Sequence, residues 1–112
     1  MNWIPLQDES QLQELNEKSK VRPQVIFKHS VRCGVSSVAK NRLDKSLNKS
    51  EISDNVDFYY LDLINFRSIS RKIEDIYDVS HQSPQVLVIK NGECVYDESH
   101  MSISMEEILE AC

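Results

Sequence analysis

The apolar residues of this chain switch between strand and helix period along its length, and that alternation limits how it can fold. Gln24 to Lys28, with Val25-Ile26-Phe27 at its centre, is a short apolar run, too short for a helix and suited to a buried strand. Val35, Val38, Ala39, Arg42, Leu43 and Leu47 then recur at steps of three and four, the spacing of one helix face, until the polar stretch Asn48 to Asn55. Val56-Asp57-Phe58-Tyr59-Tyr60-Leu61 returns to strand composition, and Phe66, Ile69, Ile73, Ile76 and Tyr77 return to helical steps. Strand, helix, strand, helix implies a parallel βαβ unit, whose crossover is right-handed almost without exception. Ahead of it, Asp8 or Ser10 can cap a helix over about residues 8–19 whose Leu12 and Leu15 share a face, and Pro23 stops helical structure.

The last third is different in kind. Val86-Leu87-Val88-Ile89-Lys90 and Glu93-Cys94-Val95-Tyr96 flank Asn91-Gly92, a dipeptide that accepts positive φ at both centres of a type I′ turn, so a β-hairpin is expected. Ser104-Met105-Glu106-Glu107 has capping-box spacing with Ile108 and Leu109 behind it, so a short helix should close the chain. A chain of 112 residues has room for one hydrophobic core, and no linker or repeat divides it. The expected fold is α/β over residues 1–112: a four-stranded mixed sheet flanked by helices, in thioredoxin-like order, with an extra N-terminal helix.

That order places Cys33 at the first strand-to-helix junction, where an open α/β sheet presents its ligand site. Unpaired N–H groups at the start of a helix, with Lys28 and Arg32 nearby, favour thiolate over thiol, and thiolate is the form that attacks disulfides. A dithiol oxidoreductase would carry its second Cys at position 36, which is Ser36 here, so the chain reads as a one-thiol exchange protein. A small buried hydrophobe is the other fate open to Cys33. Three Cys, an odd number, and a start at Met1-Asn2-Trp3-Ile4-Pro5 without basic or apolar leader regions point to a reducing, cytoplasmic compartment. No apolar run approaches the ~20 residues that cross a bilayer, so no membrane partner is expected. A net charge of −5 argues against nucleic acid, which needs a basic face. The charge is divided: residues 1–50 hold nine Lys or Arg against five Asp or Glu, residues 51–112 four against thirteen, so Cys33 lies in the basic half.

Ser83-Pro84 directly precedes the third core strand, where a residue without an N–H is punctuation. Phe27-Lys28-His29-Ser30, Arg32-Cys33 with Ser36, His81-Gln82-Ser83-Pro84-Gln85-Val86-Leu87-Val88-Ile89, and Ser99-His100 with Ile103 resemble the monothiol bacilliredoxins of the YtxJ type over nearly the whole chain, the leading Trp3 included. The resemblance implies a thioredoxin-like fold and removal of bacillithiol from protein mixed disulfides. It implies Cys33 as the attacking thiol, Pro84 as a cis proline and Ser83 as the backbone partner of the bound thiol. Lys28, Arg32, Gly34, Ser36 and His100 complete the expected binding set. A bacillithiol-like ligand carries carboxylates, which suit the helix start and the basic side chains of Lys28 and Arg32. Gly34 departs from the family pattern, which more often has Pro there, and Cys33-Gly34-Val35-Ser36 is close to the Cys-Gly-Phe-Ser of monothiol glutaredoxins, which hold glutathione and can bridge an iron–sulfur cluster.

Expected partners are therefore a low-molecular-weight thiol, bacillithiol or alternatively glutathione, and proteins that carry it as a mixed disulfide, with no bound cofactor. A glutaredoxin-like cluster carrier and a non-catalytic interaction module are the other classes open. His29, His81 and His100 lack the paired spacing of a structural zinc site, so no metal is expected. Cys94, in the second hairpin strand, is expected to be a buried inert thiol. Cys112 is expected to be a tail thiol, carried about 12 Å away by the last helix.

Overall fold

A computed structural model describes residues 3–30, 34–47 and 56–112. Its elements are β1 (Ile4–Pro5), α1 (Glu9–Lys18), β2 (Gln24–His29), α2 (Gly34–Leu47), β3 (Asp57–Asp62), α3 (Arg67–Tyr77), β4 (Gln85–Lys90), β5 (Glu93–Ser99), a single 3-10 turn (His100–Ser102) and α4 (Met105–Ala111). The sheet order is β1-β3-β2-β4-β5. β3 runs parallel to β1 and β2, while β4 is antiparallel to β2 and β5, so the sheet is mixed as expected.

The sheet has five strands where four were expected. β1 is only two residues long, too short for any period, and Pro5 offers no N–H; the edge is held on β3 by Ile4 opposite Tyr59 and by Leu6 N–H donating to Tyr60 O at 2.9 Å. The hairpin turns at Asn91 (φ 53°) and Gly92 (φ 76°), both left-handed as expected. Ser19 anchors it: its carbonyl accepts Asn91 N–H at 2.8 Å and its hydroxyl accepts Gly92 N–H at 2.9 Å. Asp8, not Ser10, caps α1, with the Gln11 side chain returning the capping box. The corresponding box at α4 does not form. Ser104 makes no side-chain cap bond, and the Glu107 carboxylate accepts instead from Tyr96 Oη at 3.0 Å.

Two cores lie on the two faces of the sheet. Val25, Phe27, Phe58, Val86 and Val88 meet Ala39 and Leu43 of α2 and Met105 and Ile108 of α4. Ile26, Tyr59, Leu61, Leu87 and Ile89 meet Leu12 and Leu15 of α1 and Ile69, Ile73 and Tyr77 of α3. Helices on both faces make β2 a fully covered strand, and all six of its residues are buried. Of the expected α2 stripe, Ala39 and Leu43 face the core, joined by Ser36, whereas Val35, Val38 and Arg42 are exposed. Ile76, expected on the inner face of α3, is exposed as well. No helix among the described residues is long and apolar enough to cross a membrane.

Candidate functional site

The expected attacking thiol, Cys33, and its neighbour Arg32 lie outside the described residues, between Ser30 at the end of β2 and Gly34 at the start of α2. Gly34 is exposed, its φ is not left-handed, and a Cβ built on it meets nothing within 4 Å. The helix start therefore has room for a larger residue, and Pro is itself compatible with a first helical position, so the departure from the family pattern needs no rearrangement of the backbone.

Ser36 is fully buried, and its hydroxyl closes the first turn of α2 onto β2. Its Oγ accepts Ser30 N–H at 3.1 Å and lies 2.6 Å from His29 Nδ1. The hydroxyl thus ties the end of β2 to α2 through two contacts, one with the strand-end backbone and one with the His29 ring. Burial, then the Lys40 cation, hold the His29 imidazole below the usual histidine range, so it is neutral at physiological pH. His29 stacks on Phe27 and tilts against Tyr60, at centroid distances of 5.8 and 5.6 Å. Trp3 Nε1–H donates to Asp44 at 2.6 Å and Lys40 pairs with the same carboxylate at 2.8 Å, a brace from the N-terminus to α2 that sequence reasoning missed.

Ser36→Ala should cost about 1–3 kcal/mol, because it leaves the Ser30 N–H without its acceptor and the buried His29 Nδ1 without its partner. Urea unfolding measures this, and a loss of only a few tenths would mean that this hydroxyl does not hold the helix start.

Lys28 is displaced from its expected role. It lies within β2 on the α3 face, fully buried, with Nζ 3.4 Å from both Ser70 O and His81 Nδ1. A strand covered on both faces leaves no outward position for its side chains, which is why this lysine cannot meet a ligand at the surface; Ser36, buried on the core side of α2, cannot either. Desolvation pushes the ammonium down to about 8, partly offset by Glu74. His81 is also held low, by desolvation and by Lys28, and its ring nitrogen lies 3.2 Å from Ser70 Oγ.

The loop before β4 and the turn after β5 do come together. The Ser83–Pro84 bond is cis, Pro84 is buried, and its carbonyl accepts His100 N–H at 3.0 Å. His100 is exposed with φ 57°, and its 3-10 turn packs against α2. Gln85 ties the loop down from both sides, its Oε1 accepting Gln82 N–H at 3.3 Å and its Nε2 donating to Ser80 O at 3.0 Å. The Ser83 hydroxyl is buried with no hydrogen-bond partner among the described residues. Pro84, Ser83 and His100 thus gather at the end of the sheet where α2 begins. The three histidines stand apart: His29 under α2, His81 by α3, His100 on the surface turn. Among the described residues no group of His, Cys, Asp or Glu could hold a metal ion.

Cys94 and Cys112 occupy the other end of the sheet. Cys94 is half-buried beside Ile89, which pairs with Gln24 at the start of β2, and its Sγ–H donates to Tyr96 O at 3.3 Å. Cys112 is half-buried against the α4 core, its carbonyl accepting from Lys90 Nζ at 3.3 Å.

The architecture matches solved thioredoxin-type structures. A suspected oxidoreductase with a thioredoxin fold superposes with a TM-score of 0.81 at 30% identity, over 96% of this chain and 91% of its own. The reduced Schistosoma mansoni thioredoxin pre-protein gives a TM-score of 0.73 at 28% identity, over 100% of both chains. The Malassezia sympodialis thioredoxin gives 0.75 at 15% identity, over 98% of this chain and 87% of its own, a likeness of fold alone. The family model described as monothiol bacilliredoxin BrxC matches residues 4–108, which spans the βαβ unit, the cis-proline loop and the hairpin. With that match and an oxidoreductase fold around the Cys33 junction, the chain belongs to the monothiol bacilliredoxin family BrxC.

Proposed function

We propose that this protein removes bacillithiol from cytoplasmic client proteins by monothiol exchange at Cys33. The Cys33 thiolate attacks the small-thiol sulfur of the mixed disulfide, the client–sulfur bond breaks, and the client thiolate leaves and takes up a proton. A second small thiol, as its thiolate, then attacks the adduct sulfur held on Cys33. That step releases the Cys33 thiolate and a symmetric small-molecule disulfide, so one free small thiol is oxidised for each client thiol set free.

The observation that carries this reading is the state of position 36. Its hydroxyl is fully buried and committed to His29 and Ser30, so it serves the fold of the helix start and offers no resolving nucleophile. Release of the adduct then depends on an external thiol. Family membership supports bacillithiol as that thiol.

The test presents one client protein as its bacillithiol and as its glutathione mixed disulfide and compares rates of client-thiol release. Faster release from the bacillithiol form is the expected result; equal or reversed rates would move the assignment to glutathione. Visible absorption after anaerobic purification would instead identify a cluster carrier.

A further inference from the structure

A pocket of about 320 Å³ opens beside the cis-proline loop, lined by Leu63, Arg67, Arg71 and His81. Its position follows from the fold. Leu63 leaves the end of β3, where its N–H donates to His29 O at 2.9 Å, and Arg67 and Arg71 are one turn apart on the first half of α3. His81 belongs to the loop that leads into Pro84. The pocket therefore lies at the carboxyl ends of β2 and β3, the same end of the sheet at which α2 begins after Cys33.

The chemistry of its walls is cationic. Arg67 and Arg71 are exposed and form no ion pair with any described residue. Behind the wall, Lys28 Nζ sits 3.4 Å from the His81 ring. The Glu74 carboxylate, on the same helix, is turned to the His81 backbone, whose N–H it accepts at 2.5 Å. A groove of similar size, 330 Å³, lies between α1 and α3, but it is lined by Leu12, Gln13, Asn16, Glu17 and Ile76, with an acidic side chain and no cation. Only the first suits an anion.

We propose that the Arg67–Arg71–His81 pocket receives the carboxylate-bearing end of the small thiol whose sulfur is exchanged at Cys33, the two guanidinium groups binding carboxylate oxygens. This rests on the small-thiol exchange reading above and specifies the ligand class: a thiol with an anionic tail, shared by bacillithiol and glutathione. Planar guanidinium pairs on a helix face bind carboxylates through paired N–H donors, and an apolar side chain such as Leu63 shields one edge from water. The expected set based on Lys28 and Arg32 placed the anion contact on the strand and the active-site loop. Lys28 is buried and Arg32 lies outside the described residues; the proposed contact is on α3, in the half of the chain whose net charge is acidic.

The experiment compares the whole protein with its Arg67→Ala/Arg71→Ala variant on one client carrying, in turn, bacillithiol, glutathione or the uncharged 2-mercaptoethanol. The double variant should lose about 10-fold or more in kcat/KM on a carboxylated disulfide, stay within about two-fold on the 2-mercaptoethanol disulfide, and regain part of the loss as Arg67→Lys/Arg71→Lys. Whichever carboxylated thiol suffers the larger loss is the one the pocket fits. An equal fall on all three disulfides, or no fall on either carboxylated one, overturns the proposal.

Wild-type protein that exchanges none of the three would refute the exchange reading instead. In that case the pocket is judged by titrating the unreactive S-methyl thioether of bacillithiol, and that of glutathione, into Cys33→Ser protein and following amide NMR shifts. Shifts at Arg67, Arg71 and His81 that vanish in the double-alanine background keep the pocket as a carboxylate site; their absence for both thioethers removes it.

Discussion

Cys33→Ser is expected to reduce client release to the uncatalysed rate, while the double variant Cys94→Ser/Cys112→Ser keeps most of the activity. A serine hydroxyl is far too weakly acidic to supply an anionic nucleophile at neutral pH, so the loss at position 33 should be complete within detection. The other two thiols are disfavoured by both place and ionisation. Burial raises the Cys94 pKa, and burial raises that of Cys112 although Lys90 pulls the other way, so neither is appreciably thiolate at pH 7. Both also sit with Ile89 and Lys90, at the end of the sheet opposite the start of α2. Intact-protein mass measurement adds a second check. With no free small thiol present, one adduct should accumulate on the wild type and on the Cys94/Cys112 double variant, and none on Cys33→Ser. A folded double variant that has lost turnover would reveal an internal resolving thiol and end the one-thiol scheme.

The parts of this fold that were legible in the sequence are those in which one physical signal dominates. Asn91-Gly92 announces its hairpin because few dipeptides accept positive φ twice, and the step from Val56–Leu61 to Phe66–Tyr77 announces strand and helix by period alone. β1 was invisible because two residues carry no period; it exists only through its hydrogen bonds to β3. The expected face of α2 held at Ala39 and Leu43 but failed in the first turns, because Ser36, a polar residue, is buried there and a hydropathy pattern counts it as surface. The same limit hid the His29–Ser36 contact, which joins a strand end to a helix start seven residues on and obeys neither period. Two of the segments singled out in the sequence, the loop at Pro84 and the turn at His100, meet through the His100 N–H and the Pro84 carbonyl. The site was not legible in its charges: Lys28 was expected to meet a ligand, and burial in a strand covered on both faces, which its charge conceals, removes it from the surface.

Lys28 also gives the second large effect, and its sign is fixed by linkage. Its folded-state pKa, about 8, lies below the ordinary lysine value because desolvation penalises the ammonium. Between about pH 8 and 10.5 the unfolded chain therefore holds a proton that the folded chain has released, and stability rises with pH across that window. Below it both states are protonated and the folded state bears the full cost of a buried cation whose contacts are a helix carbonyl and a neutral imidazole. Lys28→Met, of similar length and without charge, should stabilise the protein by about 2–3 kcal/mol at pH 7, and the gain should shrink toward zero as pH approaches 10.5. Urea unfolding of variant and wild type at pH 7 and pH 10 measures the difference, in which the titration of distant groups cancels. An equal gain at both pH values would mean that packing rather than charge is responsible, and a loss at pH 7 would mean that the ammonium is stabilised by something other than its two 3.4 Å contacts. If the cation also lends its field to the pocket behind which it lies, the more stable variant should bind a carboxylated thiol less well, and the stability cost of the buried charge would then have its counterpart at the site.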